Sequence, residues 1–278
     1  MKIEIKILKP KRWKENFLVN ALTKEGVPRE YFVDNIGEDA EILVSNSLYV
    51  EELNRLRKLH HLIIPTSGTE GICIGNVFER GIRVYHDPSI TSKGVADYVV
   101  HNLEEILGNE MVDFMRGITV GLLGFGNVGK EIYGSLRKFG CRFEAFTKRT
   151  NPYHEIKARK GEDDLMTILS SCNVIINALP LNKETDNLLY GKNLQIRREA
   201  LVISVSRAGI IDDYAILGNV LKGNLRGAIL DVYSDEINPN DYGHKNIILT
   251  PHLAGIYGEA LNNIVGFVKR SINEASGR

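Results

Sequence analysis

The chain has 278 residues, 43% of them hydrophobic and 25% charged, and its 35 lysines and arginines balance 35 aspartates and glutamates. This is an ordinary globular composition for one or two domains, and at this length folding buries roughly 75% of the unfolded surface without disulfide or metal staples. Zero net charge gives no general attraction to nucleic acid or to an anionic membrane.

No apolar run approaches the roughly 18 residues of a membrane span. The first seven residues alternate apolar and charged side chains, which is a strand pattern rather than a signal peptide. Cys73, Cys141 and Cys172 form no C-x-x-C pair and no zinc-ligand spacing. No metal is expected, and the three read as buried, reduced thiols of a cytoplasmic protein.

In chain order, residues 3–8, 41–44 and 62–65 read as strands, with helices at 50–59 and 71–79 between them and a short closing strand at 81–85. A second series starts at the strand 118–123. It continues with a helix on which Val128, Ile132, Leu136 and Phe139 recur at helical spacing until Gly140 stops it. Strands follow at 142–146, 173–178, 200–205, 227–230 and 247–249. Asp212 caps a helix reaching Leu221, closed by Gly223, and residues 257–272 form an amphipathic helix. Strands separated by helices imply parallel sheets covered on both faces. The expected fold class is α/β, with two domains: 1–87, joined by 256–278 packing back, and 88–255.

Gly124-x-Gly126-x-x-Gly129 lies between an apolar strand and an amphipathic helix, the context a dinucleotide loop requires. Gly124 permits the tight turn, Gly126 lets backbone approach a pyrophosphate, and Gly129 lets helix and strand pack closely. The diphosphate would sit on the free amides at Asn127 and Val128. Eighteen residues after Gly129, where an NAD site usually places a carboxylate, stands Thr147, followed by Lys148, Arg149 and Thr150. Two cations and no carboxylate favour a 2′-phosphate, hence NADP(H). The other reading is a solvated basic loop that accepts NAD(H). Farther on, Arg207, Asp231, Glu236 and His252 supply an arginine, carboxylates and an imidazole. These are the parts needed to bind a keto acid and move a proton while a hydride moves.

Five ordered segments carry a resemblance: 121–129; 177–181 with Thr185; 204–207 followed by Asp212; 228–233 with Glu236; and 249–255. Together they resemble the D-isomer-specific 2-hydroxyacid dehydrogenase family over nearly the whole chain. The resemblance implies two Rossmann-like or flavodoxin-like parallel-sheet domains with an active-site cleft between them. It implies His252 as acid/base, Glu236 as the carboxylate that holds the imidazole, and Arg207 as the fork for the substrate carboxylate and keto oxygen. Asp231 would accept from the nicotinamide carboxamide, with Ala254 and Gly255 beside the ring. Leu179, Pro180, Thr185, Val205 and Ser206 would line the rest of the cofactor site. Ser67, Gly68 and Thr69, in a loop aligned with the family's substrate loop, would bind substrate. Each has a plainer reading: Arg207 as a surface ion-pairing residue, Glu236 as a loop carboxylate confusable with Asp235, His252 as a strand cap, and 66–71 as a simple turn.

Several departures stand out. Asp97 replaces the usual glutamate at the domain entry, and residues 98–120 are short for the family's helical connection, part of its dimer interface. Ser204 and Ala208 replace a common asparagine and glycine, and the stretch from Glu236 to His252 is short. The substrate loop departs from the usual glycine-rich, aspartate-ending pattern. A homodimer with an altered interface is expected, and no regulatory domain is expected after residue 278. The activity implied is hydride transfer between NADP(H) and a small 2-keto or 2-hydroxy acid, of the glyoxylate or hydroxypyruvate reductase type. The alternatives are an NAD-dependent phosphoglycerate or D-lactate type enzyme, or a dinucleotide-sensing protein of the same fold.

Overall fold

The computed structural model describes residues 1–278 except 13, 149–152, 154, 155, 192, 193 and 278. The chain divides into two compact units, Met1–Thr91 with Gly255–Arg278, and Ser92–Ala254.

The first unit is built on four parallel strands in the order β1 (Ile3–Lys6), β2 (Ile42–Ser45), β3 (His61–Ile64), β4 (Arg83–His86). Successive side chains point to opposite faces, so each apolar run serves two cores. Ile3, Ile5, Ile42, Val44 and Ile63 pack beneath α1 (Phe17–Lys24) and α9 (Ala260–Ser276), meeting Leu18, Leu22, Ile264, Val265, Val268 and Ile272. Leu43, Leu62 and Ile64 face the other way, against Leu53 of α2 (Val50–Arg55) and Val77 of α3 (Ile74–Glu79).

Two helices are shorter than their apolar pattern predicts. Leu56 and Leu59 still enter the core after α2 has ended, so burial outlasts helicity. Ahead of α3, residues 71–73 instead bridge to Leu48, whose amide and carbonyl bond Gly71 O at 2.8 Å and Cys73 N at 2.9 Å. The sequence reading misses α1, which Asn16 caps by accepting from the Val19 amide at 3.2 Å. Of the cysteines, only Cys172 is buried; Cys73 and Cys141 are half-buried, correcting the expectation for both.

The second unit holds seven parallel strands: β5 (Thr119–Leu123), β6 (Arg142–Phe146), β7 (Ile156–Arg159), β8 (Val174–Asn177), β9 (Leu201–Ser204), β10 (Gly227–Leu230) and β11 (Ile247–Leu249). Their spatial order is β11-β10-β9-β8-β5-β6-β7. The chain leaves β5 toward β6 and β7, then returns to its other side at β8. That reversal is a topological switch point, where open α/β sheets bind ligands at the carboxyl ends of their strands. Helices α7 (Glu162–Ser171) and α8 (Asp213–Leu221) cover one face through Leu165, Ile168, Leu169, Ile216, Leu217 and Val220. Helix α6 (Asn127–Leu136) packs along α4 (Ser92–Leu107), and α5 (Met111–Met115) follows α4. In α4, Val95, Tyr98, Val99, Asn102, Leu103 and Leu107 recur at three- and four-residue spacing and are buried.

Asp212 caps α8, its carboxylate accepting from the Ala215 amide at 3.0 Å, as the sequence predicts. No helix among the described residues is long and apolar enough to cross a membrane.

Candidate active site

Among the described residues, the glycine loop follows β5, Thr147 and Lys148 follow β6, and Arg207, Asp231 and His252 follow β9, β10 and β11. After β5 the backbone turns at Gly124 with φ +96°, and a Cβ there would meet the Ala178 carbonyl oxygen at 2.6 Å. Only glycine fits. A Cβ on Gly129 would run into the Gly124 carbonyl, so helix and turn touch. Gly126 differs: its φ is −84°, and a Cβ would find nothing within 4 Å. The chain leaves that space open. Among the described residues no side chain caps α6, so the amides at the start of the helix are without a capping side chain. These features fit a dinucleotide diphosphate.

After β6, Thr147 is buried and its amide donates to Arg159 O at 3.1 Å. Lys148 is exposed and ion-paired with Glu184. Arg149 and Thr150 lie outside the described residues. After β8, Asn177 shapes the turn: its amide group donates to Ser204 Oγ at 3.2 Å and its oxygen accepts from Leu179 N at 3.2 Å. Thr185 folds the following loop, donating to Pro180 O at 2.5 Å and accepting from Asn182 N at 2.9 Å. Ser206, after β9 and Val205, donates to Leu179 O, tying two neighbouring loops together. Arg207 is half-buried and its Nη1 donates to Ser206 O at 2.9 Å.

Asp231 follows β10 directly and is 2% exposed. Its carboxylate accepts from Thr250 Oγ1 at 2.6 Å, Leu253 N at 2.7 Å and Ala254 N at 3.0 Å. Its carbonyl accepts from His252 N at 2.8 Å. Burial pushes the Asp231 carboxyl up, while Thr250, the nearby His252 and the two amides work against that. A carboxylate offers about four lone-pair sites, so one is left for an outside donor. His252, just past β11, has φ +60°, a left-handed conformation that costs a non-glycine residue about 1–2 kcal/mol. Glu236 is exposed; its amide donates to Ser234 Oγ at 3.3 Å, and the Tyr214 hydroxyl donates to its carboxylate.

β9, β10 and β11 are sheet neighbours, so Arg207, Asp231 and His252 leave adjacent strand ends about 5 Å apart. The structure brings Asp231 and His252 into contact, while Glu236 is exposed in the loop that follows β10.

In the first unit, the loop after β3 folds on itself. Thr66 Oγ1 donates to Gly68 O at 3.0 Å, and Ser67 Oγ lies 2.6 Å from Thr91 Oγ1. Thr69 O accepts from Ile72 N at 2.9 Å. His86 Nε2 lies 3.1 Å from both Thr66 O and Ser67 O. His86 stands at the end of β4, beside the loop that follows β3. Gly255 and Ala254 are half-buried and buried respectively.

A model described as the D-isomer specific 2-hydroxyacid dehydrogenase NAD binding domain matches residues 97–254. A glyoxylate reductase of Thermococcus kodakarensis is 24% identical over 93% of this chain and 87% of its own length. Among solved structures, the TT0316 protein of Thermus thermophilus superposes with a TM-score of 0.77 at 21% identity, covering 100% of this chain and 98% of the other. An acyclic imino acid reductase in complex with NADPH and D-Arg gives 0.73 at 20% identity, covering 99% and 97%.

Proposed function

Because the chain belongs to the D-isomer-specific 2-hydroxyacid dehydrogenase family, we propose that it reduces a small 2-keto acid to the D-2-hydroxy acid with NADP(H), as a glyoxylate or hydroxypyruvate type reductase. The observation that carries this reading is the arginine, carboxylate and imidazole series on the adjacent ends of β9, β10 and β11. When bound, the nicotinamide supplies the hydride for the keto carbon. Arg207 binds the substrate carboxylate and polarises the keto oxygen through its planar fork of donors. The protonated His252 imidazole gives its proton to the keto oxygen as negative charge develops there, and takes it back in the reverse direction. Glu236 stabilises the imidazolium, and Ser67, Gly68 and Thr69 are the proposed substrate-binding loop. The clear space at Gly126 and the uncapped start of α6 support a diphosphate site. The remaining lone pair of Asp231 suits the carboxamide, with Leu179, Pro180, Thr185, Val205 and Ser206 lining the adenosine side.

NADP(H) preference rests on Thr147, Lys148, Arg149 and Thr150, where no carboxylate repels a 2′-phosphate. The Lys148–Glu184 ion pair favours a second reading, NAD(H) use, because Glu184 already neutralises one of the two cations. The protein is also proposed to be a cytoplasmic homodimer, which sedimentation would test.

The test is oxidation of NADPH and NADH with glyoxylate, hydroxypyruvate, pyruvate and phosphohydroxypyruvate, in the wild type and in His252→Ala. Turnover that His252→Ala abolishes supports the reading. Faster turnover with NADH overturns the cofactor preference alone. Dinucleotide binding without turnover on any keto acid overturns the enzyme.

A further inference from the structure

We propose that Tyr98 of α4 is a positioning residue for the acid/base His252, acting through Thr250 and Asp231. The inference rests on the reading of His252 as acid/base. A histidine in a left-handed conformation stays there only where its surroundings over-determine it. Here the four bonds accepted by Asp231 reach each residue from Thr250 to Ala254 that can donate one; Pro251 has no amide hydrogen. The clamp itself depends on Thr250 pointing its hydroxyl at Asp231.

A threonine hydroxyl carries one proton and can rotate. Tyr98 fixes it. The Tyr98 hydroxyl lies 2.6 Å from Thr250 Oγ1, and Thr250 Oγ1 lies 2.6 Å from Asp231 Oδ1. Since the single Thr250 proton goes to the carboxylate, Tyr98 is the donor. The relay therefore runs in one direction, from Tyr98 through Thr250 to Asp231, and ends on the turn that carries His252. Tyr98 is 2% exposed, so its hydroxyl has no bulk water to turn to instead. Its ring is fixed by its place in the buried stripe of α4, and its own carbonyl accepts from Asn102 Nδ2 at 2.8 Å.

The experiment compares the full-length wild type with Tyr98→Phe, Thr250→Val and Thr250→Ser. Tyr98→Phe keeps the buried ring and removes only the donor. Two quantities are read: hydrogen exchange at the amides of His252, Leu253 and Ala254, and the steady-state constants with glyoxylate. The expected result is exchange about tenfold faster at those amides in Tyr98→Phe and Thr250→Val, with the 121–129 segment unchanged. kcat falls about tenfold in the same two variants, while KM for glyoxylate holds, because the acid/base is misplaced but Arg207 is not. Thr250→Ser, which keeps the hydroxyl, restores both.

Unchanged exchange at 252–254 in Tyr98→Phe overturns the proposal whether or not the protein turns over a keto acid. Exchange that rises everywhere, or a fall in kcat joined by a rise in KM for glyoxylate, also overturns it, since that marks general loosening. If the wild type turns over no keto acid, the enzyme reading fails, and the exchange arm still decides whether Tyr98 holds the turn.

Discussion

The glycine loop yields the sharpest quantitative prediction, because its glycines serve different ends. Gly126→Ala places a methyl group in space the chain leaves clear, at a backbone φ of −84° that alanine adopts without strain. Such a substitution leaves stability unchanged or raises it by about 0.4–1 kcal/mol, through lower entropy of the unfolded chain. The same methyl intrudes on the diphosphate. An overlap of this kind costs about 1–3 kcal/mol, which is roughly a tenfold to hundredfold loss of dinucleotide affinity. Gly124→Ala does the reverse damage. It forces alanine to φ +96° and sets Cβ 2.6 Å from the Ala178 carbonyl oxygen, so strain and overlap together cost about 2–5 kcal/mol. At roughly 2–4 °C per kcal/mol, melting falls by about 4–20 °C. Thermal unfolding and dinucleotide titration of the two variants make the assay. A Gly126→Ala protein that binds dinucleotide like the wild type refutes the assignment of that space. A Gly124→Ala protein that melts with the wild type refutes the steric argument.

Three further outcomes are expected. His252→Ala lowers kcat by about 10²–10⁴-fold and leaves NADPH affinity within a factor of about two, measured by fluorescence titration; a comparable loss of affinity would show that His252 is mainly structural. Glu184→Gln frees Lys148 and lowers KM for NADPH several-fold relative to NADH, an effect that added salt weakens; an unchanged ratio would remove Lys148 from the specificity argument. Burial pushes the Cys141 and Cys172 thiols from their ordinary 9.0 up to about 11. The unfolded thiols therefore lose protons first as pH rises, so their contribution is full below about 9 and lost between about 9 and about 11. Denaturation midpoints should fall over that window, and replacing both cysteines with serine should flatten the fall; an equal fall in the double variant would assign it to other groups.

The strands were legible wherever the sheet buries both faces. Residues 120–123, 174–176, 201–203 and 228–230, in β5, β8, β9 and β10, are runs without a charged or polar side chain. β7 escaped because it is an edge strand, with Lys157 and Ala158 exposed and only Ile156 fully buried. Helix α7 escaped with it, although Glu162, Asp163 and Asp164 in its first turn are a start signal next to Leu165, Ile168 and Leu169. The glycine loop and the positions of Arg207, Asp231 and His252 were legible from local pattern. What Asp231 holds was not, because its partners lie 19 to 23 residues away, just past the end of β11. No local signal marks the left-handed backbone of His252 or the donor that Tyr98 offers from 152 positions upstream.

The short strand β11 sits at one edge of the seven-stranded sheet, paired with β10 alone among the described strands, and edge strands fray more readily than central ones. His252 follows it in sequence, yet its fastenings run to Asp231 on the inner neighbour. Transient loosening of the rim therefore leaves the backbone of His252 anchored. Warming should soften residues 247–249 before it disturbs the turn that carries the proposed acid/base.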